Sequence, residues 1–393
     1  MAMERRVRGL LNIYIQICRM SMHAHIVYYN FLNPDGEEMS IGGVQTYLVN
    51  LIPVLRHCGF TVTVYQRSFK DFHREFDTYD VYGVGLSENY GPQVAKALLD
   101  TAQPHLDLSS DLLLYGCETC VTRVMPCRTI AIQHGVSWDV PLTDRFSKVR
   151  YLRNYVGKGC RAWNTIHRVN KVDYLVCVDH NFVNWYKAVA PYPEVKHIVI
   201  PNFTAIPSTL SQKNGETLQI IFARRFFIHR GTRLFANVME RILKERDNIQ
   251  ITIAGTGPDA DYLHAKLDQF GQVQFITFDS KDSLGIHQDK DIAVVPTIGS
   301  EGTSLSLLEA MASGCAVICT NVGGMTNIVL DGYNGLMISP DEENLYKALN
   351  RLIDDHILRT MLQSNAYATV KSTFSLENWQ MRWMDLIEQV KIK

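Results

Sequence analysis

IAVVPTIGSEGTSLSLLEAMASGCAVICT, residues 292–320, carries the pattern from which the fold is read. IAVVPT (292–297) is a short, β-branched apolar strand, and AVICT (316–320) is another. Between them GSEGTS (299–304) reads as a loop and LSLLEAMAS (305–313) has helical spacing, so a crossover helix joins two parallel strands. Thr303 or Ser304 stands at the N-cap and Gly314 at the C′ position. The start of such a helix presents free backbone N–H groups and the positive end of the dipole, which suit a phosphate or sugar hydroxyls. Glu301 on the loop and Glu309 inside the helix bracket that turn, and their carboxylates can accept hydrogen bonds from hydroxyl pairs such as those of a ribose.

The same alternation runs outward in both directions. Upstream come LQIIFA (218–223), IQITIAG (249–255) and VQFITF (273–278), separated by loops and helical or mixed stretches. Further back, HAHIVYYNF (23–31), TVTVYQ (61–66), DLLLYG (111–116), TIAIQH (129–134) and YLVCV (174–178) form an earlier series. Between the two series, periodicity is lost and Pro, Ser, Thr and Asn gather, which marks a junction. The expected organisation is an extension at 1–21, a first domain at 22–202, a linker at 203–217, a second domain at 218–370 and a terminal helix at 371–393 that packs back on the first domain. Both domains read as doubly wound α/β sheets, whose ligands sit outside the carboxyl ends of the strands. Two such sheets facing each other place the active site in the cleft between them.

Bulk properties agree with this division. A chain of 393 residues exceeds the size at which single cores stop growing. With 39 Lys+Arg against 40 Asp+Glu, no global field attracts nucleic acid, and any charged partner must meet a local patch. The nine cysteines are scattered; Cys117 and Cys120 form a CxxC with no second pair to complete a zinc site, and are read as ordinary reduced cysteines of a cytoplasmic protein. Arginines and a short apolar stretch near the start superficially resemble a signal peptide, but Asn12 and Gln16 interrupt it and no cleavage site follows. Met20 and Met22, directly before the first strand, leave an overlong start open as well.

Three further segments bear on chemistry. SIGGVQTYLVNL (40–51) puts Gly42 and Gly43 at a helix entry, where backbone can approach a phosphate or an acceptor closely. TIAIQHGVSWD (129–139) puts His134 at a strand end facing the cleft. From Arg145 to Lys171, cations interleave with Tyr151, Tyr155 and Trp163 and read either as a solvated helix face or as a docking surface for an anionic membrane or a lipid-diphosphate acceptor.

E-GTSLSLL-E-AMASG (301–314) resembles the donor motif of the retaining glycosyltransferases of family four, in the GT-B fold class: a glutamate, seven residues, then a second glutamate before Ala-Met-Ala. The likeness continues through NVGGMTNIVLDGYNGLMISP (321–340), with Thr326 or Asn327 where an acidic residue is common. IIFARRFFIHRGTRLF (220–235) is similar to the family's diphosphate clamp, an arginine and a lysine five positions later before glycine. Arg225 and Arg230 fit that spacing, although Arg224 replaces a glycine and Arg230 the lysine, and the register leaves open which of Arg224 and Arg225 points inward. ITIAGTGPDADYL (251–263) resembles the glycine pair before the nucleotide subsite, with Gly255 and Gly257; in HIVIPNF (197–203), Asn202 is read as fixing backbone.

The resemblance implies a metal-independent, retaining hexosyltransferase with no cofactor, taking a nucleotide-diphosphate sugar as donor and a glycan or lipid-linked acceptor in polysaccharide biosynthesis. It assigns His134 and Glu301 to the transferred sugar and Arg225 and Arg230 to the diphosphate. Gly42, Gly43, Gly255, Gly257, Gly302, Thr303, Ser304, Leu305 and Glu309 are assigned to the rest of the donor, with Glu309 on the ribose. No metal ligand set and no nucleic-acid motif is evident. Two other readings stay open: a non-catalytic nucleotide-sugar-binding partner protein, and a UDP-N-acetylhexosamine epimerase of the same fold.

Overall fold

The computed structural model describes residues 22–391 apart from 41, 137, 140–147, 191–194, 212–214, 216, 280–281 and 300, so the extension at 1–21 and Arg145 lie outside the described residues. Two sheets organise the chain. The first has the strand order β3-β4-β2-β1-β5-β6-β7-β8. Its strands are β1 (His23–Val27), β2 (Thr61–Ser68), β3 (Phe72–Glu75), β4 (Asp80–Gly85), β5 (Leu112–Tyr115), β6 (Arg128–Gln133), β7 (Tyr174–Cys177) and β8 (Lys196–Val199). All neighbours pair parallel except β3 with β4.

The second sheet is parallel throughout, in the order β11-β10-β9-β12-β13-β14. It comprises β9 (Leu218–Ala223), β10 (Ile249–Ala254), β11 (Val273–Ile276), β12 (Ile292–Val295), β13 (Ala316–Thr320) and β14 (Leu336–Ile338). Each sheet is buried on both faces, which is why its strands read as continuous apolar runs rather than alternating ones.

Helices α1 (Gly43–His57), α2 (Pro92–Ala102), α3 (Lys148–Val169) and α4 (His180–Val189) belong to the first unit. The second carries α5 (Thr232–Glu245), α6 (Ala260–Leu267), α7 (Leu305–Ala312), α8 (Glu342–Asp354) and α9 (His356–Thr373). Caps fix several starts: Asp179, Asp341 and Asp355 accept from the amides of Phe182, Asn344 and Leu358. The last helix, α10 (Leu376–Lys391), crosses back and buries Trp379, Trp383, Leu386, Ile387 and Val390 in the core of the first unit. Where the chain crosses in each direction the two segments lie side by side, the Thr204 amide donating to Phe374 O at 2.9 Å and the Leu376 amide to Thr204 O at 3.0 Å.

Strand order reverses direction between β1 and β5 in one sheet and between β9 and β12 in the other, and the crevice beyond such a pair is where doubly wound sheets bind ligands. Three strands had no clear signal in the sequence. β3 is short, mostly polar and exposed, β4 is a short run broken by two glycines, and β8 lies inside the stretch whose loss of periodicity marks the junction.

Candidate active site

Arg224 directly follows β9 and Thr297 stands two residues past the end of β12, so both stand at the switch point of the second sheet. The Arg224 guanidinium donates to Glu301 Oε2 at 2.6 Å and to Thr297 Oγ1 at 2.7 Å. Thr297 in turn donates to the same Glu301 oxygen at 3.1 Å. Arg230, on the turn before α5, makes a second, very close ion pair to Oε2. Burial alone would raise the Glu301 carboxyl; the two guanidinium groups outweigh it and hold its pKa below the ordinary value. Two cations share one anion here, so one positive charge is left over, and a diphosphate can neutralise it.

Sequence leaves open which of Arg224 and Arg225 turns inward, and the structure uses both differently. Arg224 is buried against the carboxylate, whereas Arg225 is exposed and reaches the first unit, where a Cβ on Gly42 would lie 3.5 Å from its Nη2. Gly43, at the start of α1, likewise faces Leu305 at the start of α7, its virtual Cβ 3.4 Å from Leu305 Cδ1. The glycine loop therefore meets the helix entry of the opposite domain.

Beside this contact the two units approach backbone to backbone. A Cβ on Gly302 would stand 2.8 Å from His134 O, and one on Gly135, whose φ is +113°, 2.9 Å from Gly302 N. Neither position tolerates a side chain without a shift. Thr303 takes no capping role: its hydroxyl donates to Val178 O across the cleft, and Asn202 donates to Thr303 O at 2.6 Å. Ser304 occupies the N-cap position of α7 but makes no side-chain cap bond; its hydroxyl pairs with Ser306. Asn327, where an acidic residue was noted as common, accepts from the His180 amide at the start of α4.

His134 donates from Nε2 to Gly116 O at 2.9 Å, since a carbonyl can only accept. Burial pushes its pKa down to about 4, so the ring is neutral near neutral pH and Nδ1 carries an acceptor lone pair. Tyr47 of α1 packs edge-on against the ring, centroids 5.4 Å apart. Next to His134 opens a cavity of about 510 Å³ at the switch point of the first sheet, walled by Tyr28, Tyr29, Tyr90, Glu118 and Arg168 among others. Glu118 is buried there and its carboxyl is pushed up to about 7 by desolvation. Cys117 and Cys120 stand nearby as free thiols 3.4 Å apart.

Glu309 stands apart from the arginine cluster. It lies mid-helix in α7, desolvated so that its carboxyl rises to about 6, with the Ser283 side chain as hydrogen-bond partner. Gly255 and Gly257 back the arginine turn: virtual Cβ atoms there would collide with Arg224 O and Phe226 O, so these glycines seat the clamp. Sequence reading missed Thr297, Tyr47 and Glu118. Thr297 carried a signal in its place at a strand end two residues before the loop; Tyr47 and Glu118 carried none, being one apolar-face residue and one acidic residue among many. Among the described residues no three His, Cys, Asp or Glu side chains stand together as a metal ligand set.

A family model matches within the second unit. Residues 209–369 match the family of glycosyl transferases group 1. An uncharacterized glycosyltransferase of Methanocaldococcus jannaschii is 30% identical over 164 residues, 40% of this chain and 42% of that protein. A phosphatidylinositol N-acetylglucosaminyltransferase subunit of Schizosaccharomyces pombe is 25% identical over 239 residues, 57% of this chain and 48% of that one. The chain thus spans less than half the length of these two relatives. Among solved structures, sucrose-phosphate synthase of Thermosynechococcus elongatus superposes with a TM-score of 0.74 at 15% identity, covering 94% of this chain and 99% of that one. HepE of Anabaena, solved with UDP, superposes with a TM-score of 0.67 at 14% identity, covering 94% of this chain and all of the other. The second unit thus carries a domain that matches the glycosyl transferases group 1, and the chain as a whole has the two-domain GT-B architecture.

Proposed function

We propose that this chain is a retaining, metal-independent glycosyltransferase, moving a hexose from a nucleotide-diphosphate sugar to a hydroxyl of a glycan or lipid-linked acceptor in polysaccharide biosynthesis. The observation that carries the proposal is the surplus positive charge at the switch point of the second sheet, set against the glycine loop of the first. Charge develops on the departing diphosphate as the glycosidic bond breaks, so cations fixed beforehand act chiefly in the transition state. Arg225 and Arg230 receive the diphosphate together with the amides at Gly302 to Leu305, and they supply the charge that a divalent ion would bring. Glu301 accepts from the sugar hydroxyls, neutral His134 offers Nδ1 to another, and Glu309 takes the ribose. Retention rests on the family likeness alone.

The acceptor enters through the tyrosine-walled cavity, where aromatic faces suit a sugar ring and Arg168 an anionic group. Arg168 lies in the last turn of α3, a helix with no acidic residue along its whole length. Leu152, Tyr155, Val156 and Trp163 lie exposed on α3, with exposed Arg153 and Arg161 on its other faces. Such a helix suits the headgroup region of an anionic membrane, and the side chains of Lys148, Arg150 and Tyr151 lie outside the described residues. No helix among the described residues is long and apolar enough to cross a membrane. The expected place of action is the cytoplasmic face of a membrane, by peripheral contact.

The test is to incubate the protein with UDP-, GDP- and TDP-sugars in EDTA without acceptor and to measure released nucleoside diphosphate, with Glu309→Ala alongside. Slow release from one donor, lost in the variant, supports the reading and names the donor. Nucleoside diphosphate binding without release from any donor favours a non-catalytic binding protein instead.

A further inference from the structure

Among the described residues, every hydrogen bond to the Glu301 carboxylate falls on one oxygen. Arg224, Arg230 and Thr297 all donate to Oε2, and among the described residues Oε1 accepts from none. The carboxylate is thus held by one atom and offers the other. The three holders differ in freedom. Arg230 sits on a short turn with its side chain 29% exposed, against 4% for Arg224. The Arg224 amide is bonded to Ala254 O at 3.0 Å, its carbonyl is hemmed in by Gly255, and its second nitrogen is braced on Thr297, itself fully buried. Arg230 can therefore move to an incoming anion, while Arg224 has nowhere to go.

Resting on the donor reading above, we infer that Arg224 is a positioning residue for Glu301: it stays on Oε2 when the donor's diphosphate draws Arg230 away, and so keeps Oε1 presented to the hydroxyls of the transferred sugar. Arg224 then acts on recognition of the sugar and not of the diphosphate. A planar fork that spans Thr297 and Glu301 at once fixes orientation as well as charge, which a lysine ammonium cannot do from one point. The charged and titratable groups facing Glu301 are Arg224, Arg230 and His229. With Arg224 removed, burial weighs more heavily on the carboxyl and its pKa rises. Sugar recognition would then fail progressively as pH falls, where the native protein keeps it.

The experiment compares, by calorimetry and acceptor-free hydrolysis, binding of the bare nucleoside diphosphate with KM for the matching nucleotide sugar. Arg224→Gly should leave diphosphate affinity within about threefold while weakening the nucleotide sugar about 10- to 100-fold, the loss expected for one charge-assisted hydrogen bond. Its nucleotide-sugar affinity should also fall between pH 8 and pH 6, as the wild type's does not. Arg224→Lys should restore the pH behaviour and only part of the affinity. Glu301→Gln, which keeps Arg224 and the fold's packing, should show the same selective loss of sugar affinity and serves if Arg224→Gly does not fold. Arg230→Ala should weaken both ligands. Equal weakening of both ligands by Arg224→Gly would overturn the inference and make Arg224 a diphosphate ligand, and no change in either would overturn it too. A wild-type protein that binds no nucleoside diphosphate at all would refute the donor reading first, and this inference with it.

Discussion

Trp383 and His134 are joined through a single ring, Tyr47. The Trp383 indole donates to the Tyr47 hydroxyl at 2.9 Å, and the Tyr47 ring meets His134 edge-on at 89°. The helix that closes the chain thus forms the wall behind a cleft histidine, although 249 positions separate the two in sequence.

That arrangement has a spare part. Trp379 also lies beside the Tyr47 hydroxyl, and its own Nε1 is buried without a partner. Trp379→Phe should therefore be nearly neutral in urea unfolding, and Trp383→Phe should cost about 1 kcal/mol because Trp379 can take over the bond. The double variant strands a buried hydroxyl and should cost on the order of 3 kcal/mol, well beyond the sum of the two. Additive losses would show that Trp379 cannot reach Tyr47.

Gly302→Ala puts a methyl group where His134 O stands 2.8 Å away. The contact is with backbone of the other domain, so relief should come by parting the cleft. Donor hydrolysis is expected to fall about 100-fold, since misplacing reacting groups by ~1 Å costs that much, while the unfolding midpoint changes little. A variant as active as the parent would mean the cleft turns over in a more open form.

Glu118 sets a pH dependence of stability. Its carboxyl titrates at about 7 in the folded chain and at 4.5 when exposed. The neutral form is favoured by folding, so the contribution is complete below pH 4.5 and is lost as pH rises through 7. On the order of 3 kcal/mol should disappear across that window. Glu118→Gln should flatten this part of the curve in chemical unfolding measured from pH 5 to pH 8, and an unchanged slope would rule the residue out.

How much of this was legible beforehand differs by feature. The strands of the second sheet and helix α7 could be read because both faces are buried and the loop and helix signals are local. β3 and β4 could not, since β3 is a four-residue edge strand of mostly polar residues and β4 a six-residue run broken by two glycines. At the site, Glu301 and Arg230 were marked by motifs that resemble the family's and His134 by its place at a strand end, yet their partners carried no such mark. Which oxygen of Glu301 is held, that Thr303 bonds the other domain, and that Glu118 faces a cavity are consequences of contacts between distant segments.

Helix α3 should bring the protein to anionic vesicles and not to zwitterionic ones in co-sedimentation. Replacing Leu152 and Trp163 together by Ser should reduce binding about 10-fold or more, given roughly 1.5 to 3 kcal/mol per large apolar side chain removed from water. Raising the salt concentration should weaken what remains, because its source is the arginine and lysine charge. Binding that ignores both the variant and the lipid charge would leave α3 as a solvated face.

The central claim is that the arginine cluster at the second switch point holds a donor diphosphate. Most direct is the acceptor-free release of nucleoside diphosphate by Arg230→Ala beside the wild type, in EDTA and at saturating donor. The account predicts a rate lower by about 10²- to 10³-fold, the usual consequence of removing one fixed donor to a developing oxyanion. A variant that released diphosphate as fast as the parent would contradict it.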